Sequence, residues 1–523
     1  MFEFSKKKLP KPKQKPPSNK ELKPFSVNLF DNDNYIKDLF EDSYDLSSRN
    51  FILGEGSSQL EMSIYYINGL TDKSILEMHV LKPLSLNHSS HVLNESMDMN
   101  AVALHIKNSI LTTFEIVSIY DLTDAKEALL VGKSILMLDG IKYGFELDTR
   151  KWKDRNITEP SVEPVIRGPH EGFTETLLTN TALLRRRIKT TDFVMELVKL
   201  GNLTKTDIVI SYIKGVVDDK IVQEVRERIS KIDTDCIIDS GYVEQFIEDA
   251  PYSIFSTIGH TEKPDIAAAK LMEGRVVIIV DGSPAVLTLP YLFIENLQAS
   301  DDYYMRPFVA SFLRLIRVIS LFVVLFLPGF YIAVQTYHPD LLPTHLLITM
   351  AAAKEGVPFP AYIEIFGMSI LFEILKEAGR RMPRSIGQAV NIVGALVIGQ
   401  AAVDAGFVSS PAVMITALAG IAGFVIYTFD EPVTLLRFIF IFVAGFAGLF
   451  GLMLGILFLL IHLVSLRSFG VPFMSPIAPV TSDSLIKDTL FRAPLWTMSR
   501  RPQIVNWKST SRDQTDKLGS KKK

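Results

Sequence analysis

Residues 318–337 read VISLFVVLFLPGFYIAVQTY, twenty consecutive positions without a charged side chain. At 1.5 Å per residue a helix of that length spans ~30 Å, the hydrocarbon thickness of a bilayer. Similar apolar stretches follow at 358–375, 386–403, 411–429 and 438–461. A core of soluble helices does not account for five of them in one interval, so this part of the chain reads as membrane. A shorter stretch, 341–353, is thirteen residues long and carries Pro343 and His345. It is either a short span or a re-entrant half-helix, and its length favours the second.

Outside that interval the composition changes. The 523 residues are 48% hydrophobic and 22% charged, with mean hydropathy +0.22. Such an average fits two regions with different solvents. At roughly 150 residues per domain the length predicts three or four folding units. A net charge of −3 excludes a generally basic nucleic-acid binder. A single cysteine, Cys236, excludes an internal disulfide or a thiolate metal cluster. Nine histidines without an HExxH or HxxxH pair make a metalloenzyme a poor reading, and no cofactor is expected. The opening MFEFSKKKLPKPKQKPPSNK lacks the apolar core of an export signal. Lysine interleaved with proline predicts an extended, solvated tail, either an electrostatic tether to anionic lipid or a plain leader.

The predicted organisation is a basic tail (1–22), two soluble subdomains (23–158 and 159–305), a membrane domain (306–466) and a second basic tail (467–523). The fold class is an α+β or α/β cytosolic region followed by an all-α polytopic membrane domain of five or six spans. In the first subdomain, alternating runs flank Asp139-Gly140, a tight-turn dipeptide, which predicts a hairpin of 134–138 with 143–147. Val131-Gly132-Lys133-Ser134 resembles the end of a phosphate loop, but Glu127 stands where the motif needs glycine and a strand pattern follows. In the second, a strand at 207–212, a helix at 220–232, a strand at 236–238, a helix at 243–248 and strands at 275–280 and 285–289 give an α/β order. The run Arg185-Arg186-Arg187 reads as a solvated helix face or as a contact for phosphate or lipid. Asp218-Asp219 and Asp301-Asp302 read as helix caps. No nucleophile elbow, dinucleotide fingerprint or kinase set is present, so no enzyme is expected.

Orientation follows from basic residues. Arg306, Arg314 and Arg317 precede the first span and place the soluble region in the cytoplasm. Six spans keep the basic C-terminal tail inside but put Lys376, Arg380, Arg381 and Arg384 outside; five spans do the reverse. The heavier charge of the tail favours six. Within the spans, Glu364 and Glu373 have no evident local partner, whereas Glu377 pairs with Arg381 at i,i+4. Residues 386–403, IGQAVNIVGALVIGQAAV, place Gln388, Asn391, Ala395, Ile398 and Ala402 on one helical stripe. Spacing alone leaves two readings open, close helix packing and the lining of a pore with a hydrophobic constriction.

Several longer runs resemble a known family. They are YINGLTD (66–72), RGPHEGFTE (167–175), NTALLRRRI (180–188), KTD (205–207), EGR (273–275), DYY (302–304), EGVPFP (355–360) and EAGRRMP (377–383). Together they are similar to the A subunits of GerA-family germinant receptors. Asn68 and His170 depart from that family's acidic and arginine residues. The resemblance implies a multi-pass protein of the spore inner membrane whose copies form a ring, a pentamer. That ring would conduct monovalent cations when nutrient binds, alongside a transporter-like B subunit and a C-subunit lipoprotein. It makes pore lining the expectation for 386–403, and it makes a secondary transporter or a non-conducting scaffold the alternatives.

Overall fold

The computed structural model describes residues 23–40, 43–54, 59–86, 98–113, 115–150, 167–382, 397–479 and 488–498. Two compact units emerge. The first comprises Met1–Thr158, Gly172–Lys214 and Ile278–Pro284, the second Glu159–Glu171, Gly215–Val277 and Ala285–Lys523.

In the first unit, β1 (Leu46–Leu53), β2 (Leu60–Ile67), β3 (Ile116–Ile119), β4 (Ser134–Leu138) and β5 (Gly144–Leu147) form a sheet of order β1-β2-β4-β5-β3. The period of two sorts its side chains. Met62, Ile64, Leu136 and Leu138 pack on one face with Val80, Val102 and Ile106. Tyr65, Ile67, Ile135 and Met137 pack on the other with Ile36, Ala125 and Leu129. Helices therefore cover both faces, which is why β4 is buried along its whole length. The hairpin lies where the turn dipeptide placed it, with Ser134 opposite Leu147 and Leu136 opposite Phe145. Gly140 has φ +85, a turn conformation glycine adopts without strain. The phosphate-loop resemblance ends here. Gly132 is the left-handed cap of Leu122–Val131, Lys133 pairs with Glu146, and Ser134 begins β4.

A second sheet has order β6-β7-β9-β10-β8, from β6 (Phe193–Leu200), β7 (Thr206–Ile213), β8 (Gly259–Thr261), β9 (Val276–Val280) and β10 (Val286–Leu289). The strand expected at 236–238 is not one. Ile237 is buried but Ile238 is exposed, and Asp239 caps the helix Ser240–Ile247 by accepting the Gly241 N–H at 3.2 Å. A β-branched pair without an adjacent strand edge remains a loop.

The second unit also holds a series of helices between Pro307 and Ser465, followed by a short antiparallel pair, Arg467–Ser468 with Val471–Pro472. Among the described residues two helices are long and apolar enough to cross a membrane, Pro307–Tyr337 and Asp430–Ser465, and Ser410–Val425 is apolar but shorter. The count of five or six is thus not met by length and composition alone. The stretch read at 358–375 lies in the helix Ala361–Arg381, whose charged residues keep it below that standard. The stretch at 341–353 becomes the eleven-residue helix Thr344–Lys354, none of it buried. Residues 386–396 fall outside the described set.

The helix Asp430–Ser465 is not straight. Gly448 has φ +60 and ψ −144, a non-helical conformation that splits it. A Cβ on Gly455 would lie 2.9 Å from Phe440 Cε1. Fifteen residues of straight helix would separate those positions by about 22 Å, so the chain doubles back at Gly448 into two antiparallel arms. Both arms pack on Pro307–Tyr337. A Cβ on Gly329 would stand 3.0 Å from Leu452 Cδ1 and 3.1 Å from the Phe440 carbonyl, one contact from each arm.

Candidate functional site

Glu364 lies in the first turn of Ala361–Arg381 and is buried. Its Oε2 accepts the Ser409 N–H at 2.9 Å and the Ser409 O–H at 2.6 Å, and Lys354 Nζ stands 3.6 Å from Oε1. Ser409 is the N-cap of Ser410–Val425. The carboxylate therefore sits on the positive end of the helix Ser410–Val425, where a negative charge is stabilised by the helix dipole and the open N–H groups. Glu373 is also partnered. Its Oε1 accepts from Arg437 Nη2 at 2.5 Å, and Lys376 Nζ is 2.7 Å from Oε2. Lys376 reaches on to Asp430 at 2.8 Å, and Arg380 joins the same aspartate. The expectation that these two glutamates lack local partners is corrected: Ser409 and Arg437 reach them from other helices, and Lys376 reaches Glu373 from three residues along the same helix. Glu377 and Arg381 form the anticipated i,i+4 pair at 2.7 Å.

Of the proposed stripe, Gln388, Asn391 and Ala395 lie outside the described residues. Ile398 is exposed and Ala402 half-buried in the helical stretch 397–404, and Gln400 Nε2 donates to Asp404 Oδ1 at 3.0 Å. Arg437, Ser409, Asp430 and Asp404 were not singled out from sequence. Arg437 was the most legible of these, a lone cation at the edge of an apolar run with an unmatched glutamate elsewhere.

Where the chain enters the bundle, a second charged cluster is fully packed. Asp302 and Arg314 are each almost wholly buried. Arg314 Nε donates to Asp302 Oδ2 at 2.8 Å and its Nη1 to Asp488 Oδ1 at 2.9 Å. Arg317 holds Asp302 through two bonds of 2.8 and 3.0 Å. The cap expected at Asp301-Asp302 is corrected: Ser300 is the N-cap of Asp301–Tyr304, and Asp302 is an ion-pair centre in its first turn. Where the chain leaves the bundle, Ser468 Oγ donates to the Thr257 carbonyl at 2.6 Å and accepts from Tyr291 N at 2.9 Å. The Phe469 N–H donates to Asp249 at 2.7 Å, and Ser253 Oγ lies 2.9 Å from His462 Nε2.

Between these ends, Glu295 accepts from both Lys270 and Arg275. Burial raises the Glu295 carboxyl, but the Arg275 and Lys270 charges outweigh it and hold it below the ordinary glutamate range. Its contribution to stability is therefore complete above ~4.3, the unfolded value, and is lost as pH falls through the lower folded value. Acid titration of thermal stability should show a steeper fall in the parent than in Glu295→Gln. Equal slopes below pH 5 would contradict the assignment. Among the described residues no group of three or more His, Cys, Asp or Glu side chains is placed to hold a metal ion.

The family model of the Bacillus/Clostridium GerA spore germination protein matches residues 34–504. The uncharacterized membrane protein YfkQ of Bacillus subtilis is 43% identical over 482 residues, 92% of each chain. Spore germination protein KA of the same organism is 42% identical over 466 residues, 89% of this chain and 84% of that one. A solved structure, the N-terminal domain of the A subunit of the Bacillus megaterium spore germinant receptor GerK3, is 34% identical with a TM-score of 0.40. It covers 52% of this chain and 98% of that one.

Proposed function

We infer a receptor-subunit role from a plain premise: the chain belongs to the GerA family of spore germination proteins. The reading is an A subunit of a nutrient germinant receptor in the spore inner membrane. Its copies assemble as a ring, a pentamer, that opens to release monovalent cations, with a transporter-like B subunit and a C-subunit lipoprotein beside it.

The observation that carries the membrane half of this reading is the reversal at Gly448. Counting each arm of Asp430–Ser465 as a crossing, with Pro307–Tyr337, Ala361–Arg381, the segment ending at 404 and Ser410–Val425, gives six. The helix Thr344–Lys354 then stays on the far side. This arrangement puts the soluble region, Lys376, Arg380, Arg381 and the basic tail on one face, which removes the conflict between five and six. Glu364 and Glu373 are assigned to holding the bundle, since their charges are already matched. The conduit is assigned to the stripe of Gln388, Asn391, Ala395, Ile398 and Ala402, polar at one end and apolar at the other, a pattern that gates by dewetting.

The decisive experiment is ion flux from spores or reconstituted vesicles. Ala395→Leu and Ala402→Leu should abolish stimulated potassium release, and Ile398→Ala should leak without stimulus. Wild-type flux in all three variants would overturn the assignment. A secondary transporter would instead show release coupled to a counter-moving solute.

A further inference from the structure

The helix Ser240–Ile247 buries Val243 and Ile247 and leaves Tyr242 and Phe246, four residues apart, exposed on its outer face. Ile238, four residues earlier, is exposed as well. Tyr252, in the turn that follows the helix, has its whole side chain in the open, at 101%. One exposed apolar residue is ordinary on a protein surface, but a run of them at helical spacing marks an interaction face.

The segment that carries Tyr252 is bound to the end of the last membrane helix. Ser253 Oγ lies 2.9 Å from His462 Nε2, and the Phe469 N–H donates to Asp249 Oδ2 at 2.7 Å. Arg228, paired with Asp249 at 2.7 Å, stands 4.4 Å from the centre of the Phe469 ring. Phe255 is buried beside His462 and Phe473, and Ala250 and Ile254 pack on the same core.

That attachment fixes the level of the patch. Counted as a crossing, the arm from 449 to 465 has seventeen residues, about 25 Å of helix against a ~30 Å hydrocarbon layer. It has no length to spare, so its last turn, with His462, stands at the edge of the hydrocarbon. Ile461 and Val464 of that turn are exposed, as a lipid-facing side requires. Tyr252 and Ile461 are the chain neighbours of the bonded pair Ser253 and His462, so the exposed apolar surface of the span continues onto the patch. The carboxylates nearby are committed within the protein: Glu244 accepts from Ser256, Glu248 from the Thr257 N–H, and Asp249 from Arg228 and Phe469. Arg467, just past the end of the span, is exposed and positive, which suits a phosphate headgroup.

We propose that Tyr242, Phe246 and Tyr252 insert into the headgroup–acyl boundary of the leaflet that the last span meets at Ser465. Aromatic side chains favour that zone, and the expected depth is that of an interfacial helix, ~5–10 Å. The inference rests on reading the arm as a crossing and is independent of whether the ring conducts.

The test uses the full chain in nanodiscs of phosphatidylglycerol and phosphatidylethanolamine. A nitroxide is attached to Tyr242→Cys, Phe246→Cys, Tyr252→Cys or Phe458→Cys, each combined with Cys236→Ser. All four targets are exposed side chains, so no packed contact is lost. If serine at 236 unfolds the chain, Cys236 is kept and its own signal subtracted. Power saturation compares collisions with oxygen, which concentrates in lipid, and with a water-soluble nickel chelate. At Tyr242, Phe246 and Tyr252 the oxygen-to-nickel ratio should be at least threefold above that of free label in buffer. A ratio equal to buffer at all three would overturn the proposal. So would low collision with both reagents, which would put a protein partner on the patch instead of lipid. Phe458, on the exposed face of the arm, reports the crossing itself. If Phe458 also reads as buffer, the crossing fails and takes the proposal with it; if Phe458 reads lipid and the three aromatics read water, the crossing stands without the docking.

Discussion

Arg185→Ala is expected to unfold the first unit under conditions where the parent is stable. The guanidinium has five N–H donors and all five are used. Nε and Nη2 grip Asp45 at 2.7 and 2.9 Å, Nη1 donates to the Phe193 and Thr190 carbonyls at 2.9 and 3.2 Å, and Nη2 donates to Ser43 at 2.9 Å. The ring of Phe193 stacks 4.8 Å from the guanidinium carbon. Side-chain exposure is 1% for Arg185 and 2% for Asp45, so solvent cannot replace what is lost. Breaking one side of such a pair costs about 3–5 kcal/mol, a large share of the ~5–15 kcal/mol that holds a domain. Arg185→Lys restores charge but not the fork and should recover only part. Replacing both members with apolar residues, Asp45→Leu with Arg185→Met, should be milder than either single change. Urea titration of the full chain in detergent tests this. A midpoint for Arg185→Ala within error of the parent would remove the pair from any role in stability.

Gly448→Ala is the second large effect expected. At φ +60 and ψ −144 an L-residue is strained by about 1–3 kcal/mol. The added Cβ would also sit 3.0 Å from the Tyr337 ring, which is fixed by its hydroxyl donating to the Gly445 carbonyl at 2.7 Å. Both terms act at the reversal between the arms, so the variant should lose melting temperature and, with it, germination. Gly367→Ala is the matched control. That glycine is inside Ala361–Arg381 with open space where a Cβ would go. Alanine there should be neutral or stabilising by up to ~1 kcal/mol. If both alanines behave alike, the reversal is not what Gly448 provides.

The sequence carried the local features and missed the long-range ones. The 134–138 hairpin was legible because strand alternation and the Asp139-Gly140 turn both act within a few residues. The Arg185 pair was not, since a run of three arginines reads the same whether solvated or buried, and Asp45 lies far away in the chain. Length and apolarity identified the last helix but could not divide it. Hydropathy does not dip at Gly448, and the only written sign is the spacing of Gly445, Gly448, Gly451 and Gly455. The partners Ser409 of Glu364 and Arg437 of Glu373 belong to other helices and are not legible locally, whereas Lys376, three residues after Glu373 on the same helix, was.

The bundle is gripped by the same part of the chain at entry, through Arg314, Arg317 and Asp302, and at exit, through Ser468, Phe469 and His462. A beam built in at both supports does not swing; it bows or twists along its length. A displacement carried by Asp249, Ser253, Thr257, Tyr291 and Asp302 of the second unit therefore reaches the first and last helices together, as torsion shared between them.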